Sequence, residues 1–177
     1  NKLLLCISLH QATAARWRGG RLTDCTVFDN SEAGVAKFRD YAAASGGAPA
    51  FVIVDATEED YRFETLPHAS GTERAQMAER KLRQYYRGST YSAASLIGRD
   101  DGKRRDDRYL FSALTNPDIV TPWLSALTQC SLPVGGIYLL PMVMGGLIDA
   151  LGEKSSNLLL VTVQPTGTRL TFYRGGT

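Results

Sequence analysis

A mixed α/β (α+β) fold is predicted by three features of the sequence. Leu3 to Leu9 is an apolar run broken only by Ser8, the mark of a central strand covered on both faces. Two further strand-like runs, Thr13–Arg18 and Leu22–Asp29, follow it and are separated only by Gly19-Gly20, a strong hairpin signal. Beyond them, stretches with apolar residues at helical spacing alternate with short runs rich in Val, Ile, Tyr and Phe.

Each element has a local cause. The opening run and the two that follow make a three-stranded meander. Asn30 or Ser31 caps a helix through about Ser45, with Val35, Phe38, Tyr41 and Ala42 on one face and Gly46-Gly47 ending it. Ala50–Asp55 is a buried strand, and the acidic turn from Thr57 to Asp60 leads into another at Tyr61–Leu66. Pro67 and Gly71 break the chain before a helix from Thr72 to about Tyr86, whose stripe is Ala75, Ala78, Leu82 and Tyr85. Tyr91–Ile97 and Tyr109–Leu114 flank Arg99–Arg108, a charged decapeptide whose signs nearly cancel and which reads as a solvated hairpin tip.

Asn116-Pro117 and Thr121-Pro122 both signal the start of a helix that runs to about Ser131, with Trp123, Leu124, Leu127 and Cys130 inward. Val134–Leu140 is expected to be a buried strand, and Pro141 opens a short helix to Leu151. A polar linker, Lys154–Asn157, leads to a closing hairpin from Leu158 to Gly176 around Pro-Thr-Gly-Thr.

Composition limits what such a fold can do. With 177 residues, 44% hydrophobic and 21% charged, the chain has the make-up of a soluble globular protein of one core or two small subdomains. Its 20 Lys+Arg against 18 Asp+Glu leave a formal charge of +2, too little for a phosphate backbone, so nucleic acid is not an expected partner. The longest apolar candidate for a membrane span, Ile137–Leu151, is interrupted by Pro141, Gly145, Gly146 and Asp149. The ends, Asn1 and Gly-Gly-Thr177, suggest a piece of something longer, and there is no export signal. Cys6, Cys25 and Cys130 fit no metal spacing and are expected to be reduced, small core residues of a cytosolic protein.

A meander, a helix and further strands in this order form the arrangement of the ribonuclease H-like fold, on which the actin-like ATPases are built from two duplicated halves. Residues 1–157 would be the first half, carrying an inserted small subdomain at about 57–115, and residues 158–177 the opening hairpin of a second. Any antiparallel pair joined by a Pro-Thr-Gly-Thr turn also gives an ordinary β-hairpin.

Several segments taken in order, Phe63-Glu-Thr-Leu-Pro67, the polar helix from Glu73 to Tyr86, Tyr109–Thr115, Trp123-Leu-Ser-Ala-Leu127 and Val134–Pro141, resemble the actin-like cytoplasmic proteins of type IV pilus assembly and type II secretion. The resemblance spans about residues 50–175. It implies an adaptor beneath the inner membrane of Gram-negative bacteria, cytoplasmic and peripheral, joining a membrane-embedded assembly platform to a motor ATPase, with self-association left open. Pilus members of that family hold ATP, and secretion members have lost the site.

Carried over position by position, the phosphate loops look degenerate. The first strand turns through Ser8-Leu9-His10 where an acidic residue and a glycine would stand. In the closing hairpin Thr162 takes the acidic position, Pro165 removes an N–H, and Thr166-Gly167-Thr168 is what remains of the turn. Lacking a carboxylate at either point, a magnesium phosphate has no anionic anchor, so no cofactor is expected and the secretion-like, non-catalytic form fits better. An actin-fold ATPase or phosphotransferase, completed by residues outside this sequence, is the alternative.

Asp55 ends a central strand and reads as a lone cap or turn residue rather than part of a two-metal site. His10 and His68 belong to no ligand spacing. For a partner, the aromatic candidates are Trp17, Phe28 and the Tyr85-Tyr86 pair.

Overall fold

The computed structural model describes residues 1–102, 104–153 and 155–174, so Lys103 and Lys154 lie outside the described residues, as do positions 175–176 of the expected last strand. The described residues form ten strands and four α-helices in chain order: β1 Lys2–Ser8, β2 Gln11–Arg18, β3 Arg21–Asp29, α1 Glu32–Ala43, β4 Ala50–Asp55, β5 Glu59–Leu66, α2 Gly71–Tyr85, β6 Tyr91–Arg99, β7 Asp107–Leu114, α3 Thr121–Gln129, β8 Val134–Leu139, α4 Leu140–Leu151, β9 Asn157–Gln164 and β10 Gly167–Arg174. The chain forms two compact units, one of residues 58–117 and one made of the remainder.

In the larger unit a five-stranded sheet runs in the order β3-β2-β1-β4-β8. The meander pairs antiparallel, whereas β4 lies parallel to β1 and β8 parallel to β4. Parallel neighbours need a crossover, and α1 and α3 supply the two. They pack on each other, and Phe38, Ala42, Trp123, Ala126 and Leu127 of the helices are buried, as are Leu3, Leu5, Ile7, Val52 and Val54 of the central strands. Phe38 is wedged edge-on between Phe28 and Trp123, at centroid distances of 5.6 and 5.4 Å.

The local signals explain the helices. Ser31 caps α1 by accepting from the Gly34 N–H at 3.0 Å. Of the two Pro signals before α3, the second starts it, and Pro117–Ile119 forms only a 3-10 turn. That division follows from the burial of Ile119 and Val120, which tie the turn to the core before the helix proper begins.

Three expectations are corrected. Strand β8 is an edge rather than a buried strand, with Val134 and Tyr138 about two-fifths exposed. Cys25 is exposed and only Cys6 and Cys130 are partly covered. Ala75 is exposed too, because the stripe of α2 that packs inward is Met77, Ala78, Leu82 and Tyr85.

In the smaller unit α2 lies on a three-stranded antiparallel sheet of order β5-β7-β6 around Tyr109, Phe111 and Ala113. β6 and β7 run further than their apolar runs suggested, pairing Arg99 with Asp107. The cause is a polar network: buried Asp107 accepts from His68 Nδ1 at 3.0 Å and from Arg99 Nε at 3.3 Å. Burial alone would raise the Asp107 carboxyl, but the hydrogen bond and charge of His68, then those of Arg99, outweigh it and hold it below the usual range.

Candidate functional site

The parallel pairing of β1 and β4 places Ser8 and Asp55 opposite each other at the carboxyl ends of the two central strands, where open α/β sheets take their ligands. Residues 3–7 and 50–54 are continuously apolar before these last polar positions, with fully and partly buried residues alternating along them. Asp55 is 1% exposed. A buried carboxylate requires partners, and it finds them in the closing hairpin.

The hairpin turns through two residues, Pro165 and Thr166, and Gly167 opens the returning strand at φ 126°. That backbone is unfavourable for any side chain, which explains a glycine there. Thr166 Oγ1 donates to Asp55 Oδ2 at 2.8 Å. Three residues further, on β10, Arg169 Nη2 donates to Asp55 Oδ1 at 3.5 Å and to the Ala56 carbonyl at 3.3 Å. The guanidinium is itself largely covered, its side chain 23% exposed, so a carboxylate and a cation neutralise each other at the strand ends. Cys6, on β1, registers that charge: burial first, then the nearby Asp55, push its thiol up.

The remaining expected phosphate-loop residues divide. Ser8 is buried and its hydroxyl donates to the Gln11 carbonyl at 2.8 Å, so it closes the β1–β2 turn. His10 is exposed, and its carbonyl accepts from the Asn30 N–H at 3.0 Å. Thr168 is exposed on β10, paired with Val163. Thr162 Oγ1 is buried and has no hydrogen-bond partner among the described residues. Among the described residues no group of three or more His, Cys, Asp or Glu is placed to hold a metal ion.

Two of the four aromatic partner candidates are corrected to core. Phe28 is 5% exposed and packs edge-on against Phe38 and Tyr41. Tyr86 is 9% exposed and donates to the Phe111 carbonyl at 3.3 Å, its phenol pushed up to about 12 by burial and then by Asp60. Tyr85 is half-buried, stacked edge-on to Phe111 with its hydroxyl donating to Glu64. Of these four candidates Trp17, 37% exposed near the β2–β3 turn, is the one with an open surface.

Arg169 had no sequence signal as a site residue, since an isolated Arg in a hairpin has many uses. Asp55 carried one, a strand-end acid after a buried run, but its partners could not be read from the chain.

The strand order β3-β2-β1-β4-β8 and its crossovers make a mixed α/β fold that matches solved structures of the actin-like ATPase fold. No family model matches the sequence, and no curated protein matches it at the sequence level. Solved structures do. One is the PilM-PilN type IV pilus biogenesis complex, with a TM-score of 0.66 and 13% identity over 98% of this chain and 58% of that one. A second is the cytoplasmic domain of EpsL, an inner-membrane component of the type II secretion system of Vibrio cholerae, with a TM-score of 0.52 and 12% identity over 90% of this chain and 62% of that one. A third is a Bacteroides thetaiotaomicron protein with an actin-like ATPase fold and unknown function, with a TM-score of 0.54 and 8% identity over 99% of this chain and 66% of that one. The chain thus spans about three-fifths of the length of the pilus and secretion structures. Among the described residues, no helix is long and apolar enough to cross a membrane.

Proposed function

We propose that this actin-fold chain is a non-catalytic adaptor of a pilus-assembly or secretion apparatus, linking an inner-membrane platform to a motor ATPase on the cytoplasmic side. The fold likeness to a pilus and a secretion component supports the setting. One observation carries the non-catalytic part: the strand-end carboxylate, Asp55, is met by the chain's own Thr166 and Arg169.

The residues present do not fit a magnesium nucleotide. Such a ligand wants an unpaired carboxylate facing the metal and free donors facing the phosphates. Here the Asp55 charge is matched by a guanidinium, and the Ser8 hydroxyl is engaged in its own turn. The adaptor reading therefore rests on surfaces rather than on chemistry at this corner.

We read residues 1–157 as the first half of the fold, with the unit of residues 58–117 as its insertion, and the β9–β10 hairpin as the start of the second half. The hairpin supports this reading with one apolar, exposed face: Leu159, Val161, Val163, Leu170 and Phe172 are each more than half exposed. Cross-strand partners Leu159–Phe172 and Val161–Leu170 make that face continuous, a surface that further chain would cover.

A second reading, a nucleotide-binding ATPase or phosphotransferase whose site is completed by further residues, has one atom in its favour. Thr162 Oγ1, on the same hairpin, is buried and without a hydrogen-bond partner among the described residues. Titration calorimetry with ATP and magnesium separates the two. No binding heat, together with co-purification of an inner-membrane platform protein and its motor ATPase, supports the adaptor; tight, magnesium-dependent binding would replace it with the second reading.

A further inference from the structure

The end of α2 holds a concentration of positive charge that the composition of its surroundings does not require. Residues 58–117 contain 11 basic and 10 acidic side chains, yet Arg80 to Ser89 contains four basic residues and no acidic one. Lys81 is spent on Glu64, which accepts from it at 2.8 Å. Arg80, Arg83 and Arg87 are exposed and line a hollow of about 580 Å³ with Gln84, Tyr86 and Ser89. Of the three, Arg83 meets a carboxylate, that of Glu79 one turn earlier on the same helix, and remains 76% exposed. A surface pair of that kind holds little energy and yields readily to a better acceptor.

The helix dipole accounts for a cation in the last turn, such as Arg83. It does not account for Arg80 a turn earlier, nor for Arg87 beyond the cap at Tyr86, both directed to the same hollow. From Arg80 to the end of α2 at Tyr85 the helix rises roughly 7.5 Å and Arg87 follows two residues beyond, a span that about three residues of extended chain at roughly 3.3 Å each would match. Guanidinium groups bind carboxylates in two-point fashion, and the Gln84 amide and Ser89 hydroxyl add neutral hydrogen-bonding groups beside them.

We infer that this hollow is a docking site for an extended acidic segment of a partner protein, with carboxylates about three residues apart. The inference rests on the adaptor reading for the existence of a partner, but not for its chemistry. An anionic membrane is the less suitable occupant, because the one large apolar side chain in the lining, Tyr86, is 9% exposed and held in the core, leaving nothing to insert among lipid chains.

The test is titration of the isotope-labelled full chain, followed by NMR, with a short synthetic peptide bearing Glu at every third position, its Gln counterpart, and phosphatidylserine–phosphatidylcholine vesicles. Shifts confined to the neighbourhood of residues 80–89, weakening with salt and absent with the Gln peptide, are expected. Arg80→Glu combined with Arg87→Glu should reduce affinity about tenfold or more, and the Arg→Lys pair severalfold, since Lys lacks the fork. Should the charge-reversed chain lose its fold, Arg80→Gln with Arg87→Gln serves in its place. No shifts with the Glu peptide, equal shifts with the Gln peptide, binding indifferent to these substitutions, or preference for the vesicles would each overturn the inference. Failure of platform and motor proteins to co-purify, with the peptide result intact, would instead remove the adaptor reading alone.

Discussion

Arg169 reaches Asp55 across 114 residues of sequence, its Nη2 standing 3.5 Å from Oδ1 and 3.3 Å from the neighbouring Ala56 carbonyl. With the Thr166 hydroxyl at 2.8 Å on the other carboxylate oxygen, the tip of the last hairpin is fastened to the end of a central strand. The carboxylate is fully buried and the guanidinium only partly, which decides what removing each partner should do.

Arg169→Met leaves the Asp55 charge buried with a single hydroxyl partner. The long contact and partial exposure of the arginine keep the effect below that of a fully buried pair, so a loss of about 1–3 kcal/mol is expected in denaturant unfolding. Adding Asp55→Asn removes the stranded charge, and the double variant should recover part of the loss. A double variant that is additive would show the two side chains to be uncoupled.

Gly34 and Gly145 should respond to alanine in opposite senses. A Cβ at Gly34 would stand 2.0 Å from the Asp29 carbonyl oxygen, so α1 would have to lift from the end of β3. Gly34→Ala should cost more than about 2 kcal/mol in thermal or denaturant unfolding. At Gly145, inside α4, a Cβ meets nothing within 4 Å, and Gly145→Ala should stabilise by about 0.5–1 kcal/mol through helix propensity alone.

Acid should loosen the smaller unit through Asp107. Its folded carboxyl is held below the ordinary value, so the stabilisation it provides is complete above the unfolded value near 3.8 and is lost as the pH falls through the lower folded one. Asp107→Asn should therefore weaken the unit at neutral pH and flatten its stability profile below about pH 4, read by circular dichroism across an acid titration. An unchanged acid limb would assign that loss to Asp60, whose carboxyl in the same unit is also held low.

The cysteines should modify in two phases. Cys25 is exposed, whereas Cys6 is partly covered and its thiol is pushed up by burial and by Asp55. A thiol reagent at neutral pH should label Cys25 first and Cys6 slowly. Cys25→Ser should abolish the fast phase, and its persistence would place the reactive thiol elsewhere.

Much of the fold was legible because its signals are local. The Leu3–Leu9 run, the Gly19-Gly20 turn, the Ser31 cap and the Trp123–Leu127 stripe each depend on neighbours a few residues away. Strand ends were less so: β6 and β7 extend past their apolar runs only because Asp107 finds His68 and Arg99 in space. The aromatic candidates show the same limit, since strand spacing marks Phe28 as covered on one side but not whether a partner or Phe38 covers it.

The sequence by itself determined the order of strands and helices, the small residues of the closing turn, and the lack of acidic residues at Ser8–His10 and Thr162–Thr168. Only the tertiary structure decided that Asp55 stands beside Ser8, that Thr166 and Arg169 answer its charge, and that Thr162 is left with a buried, unpartnered hydroxyl. The physical reason is range: periodicity and capping act within a turn or two of the chain, whereas neutralising a buried carboxylate here takes a cation from a separate hairpin 114 residues further along the sequence.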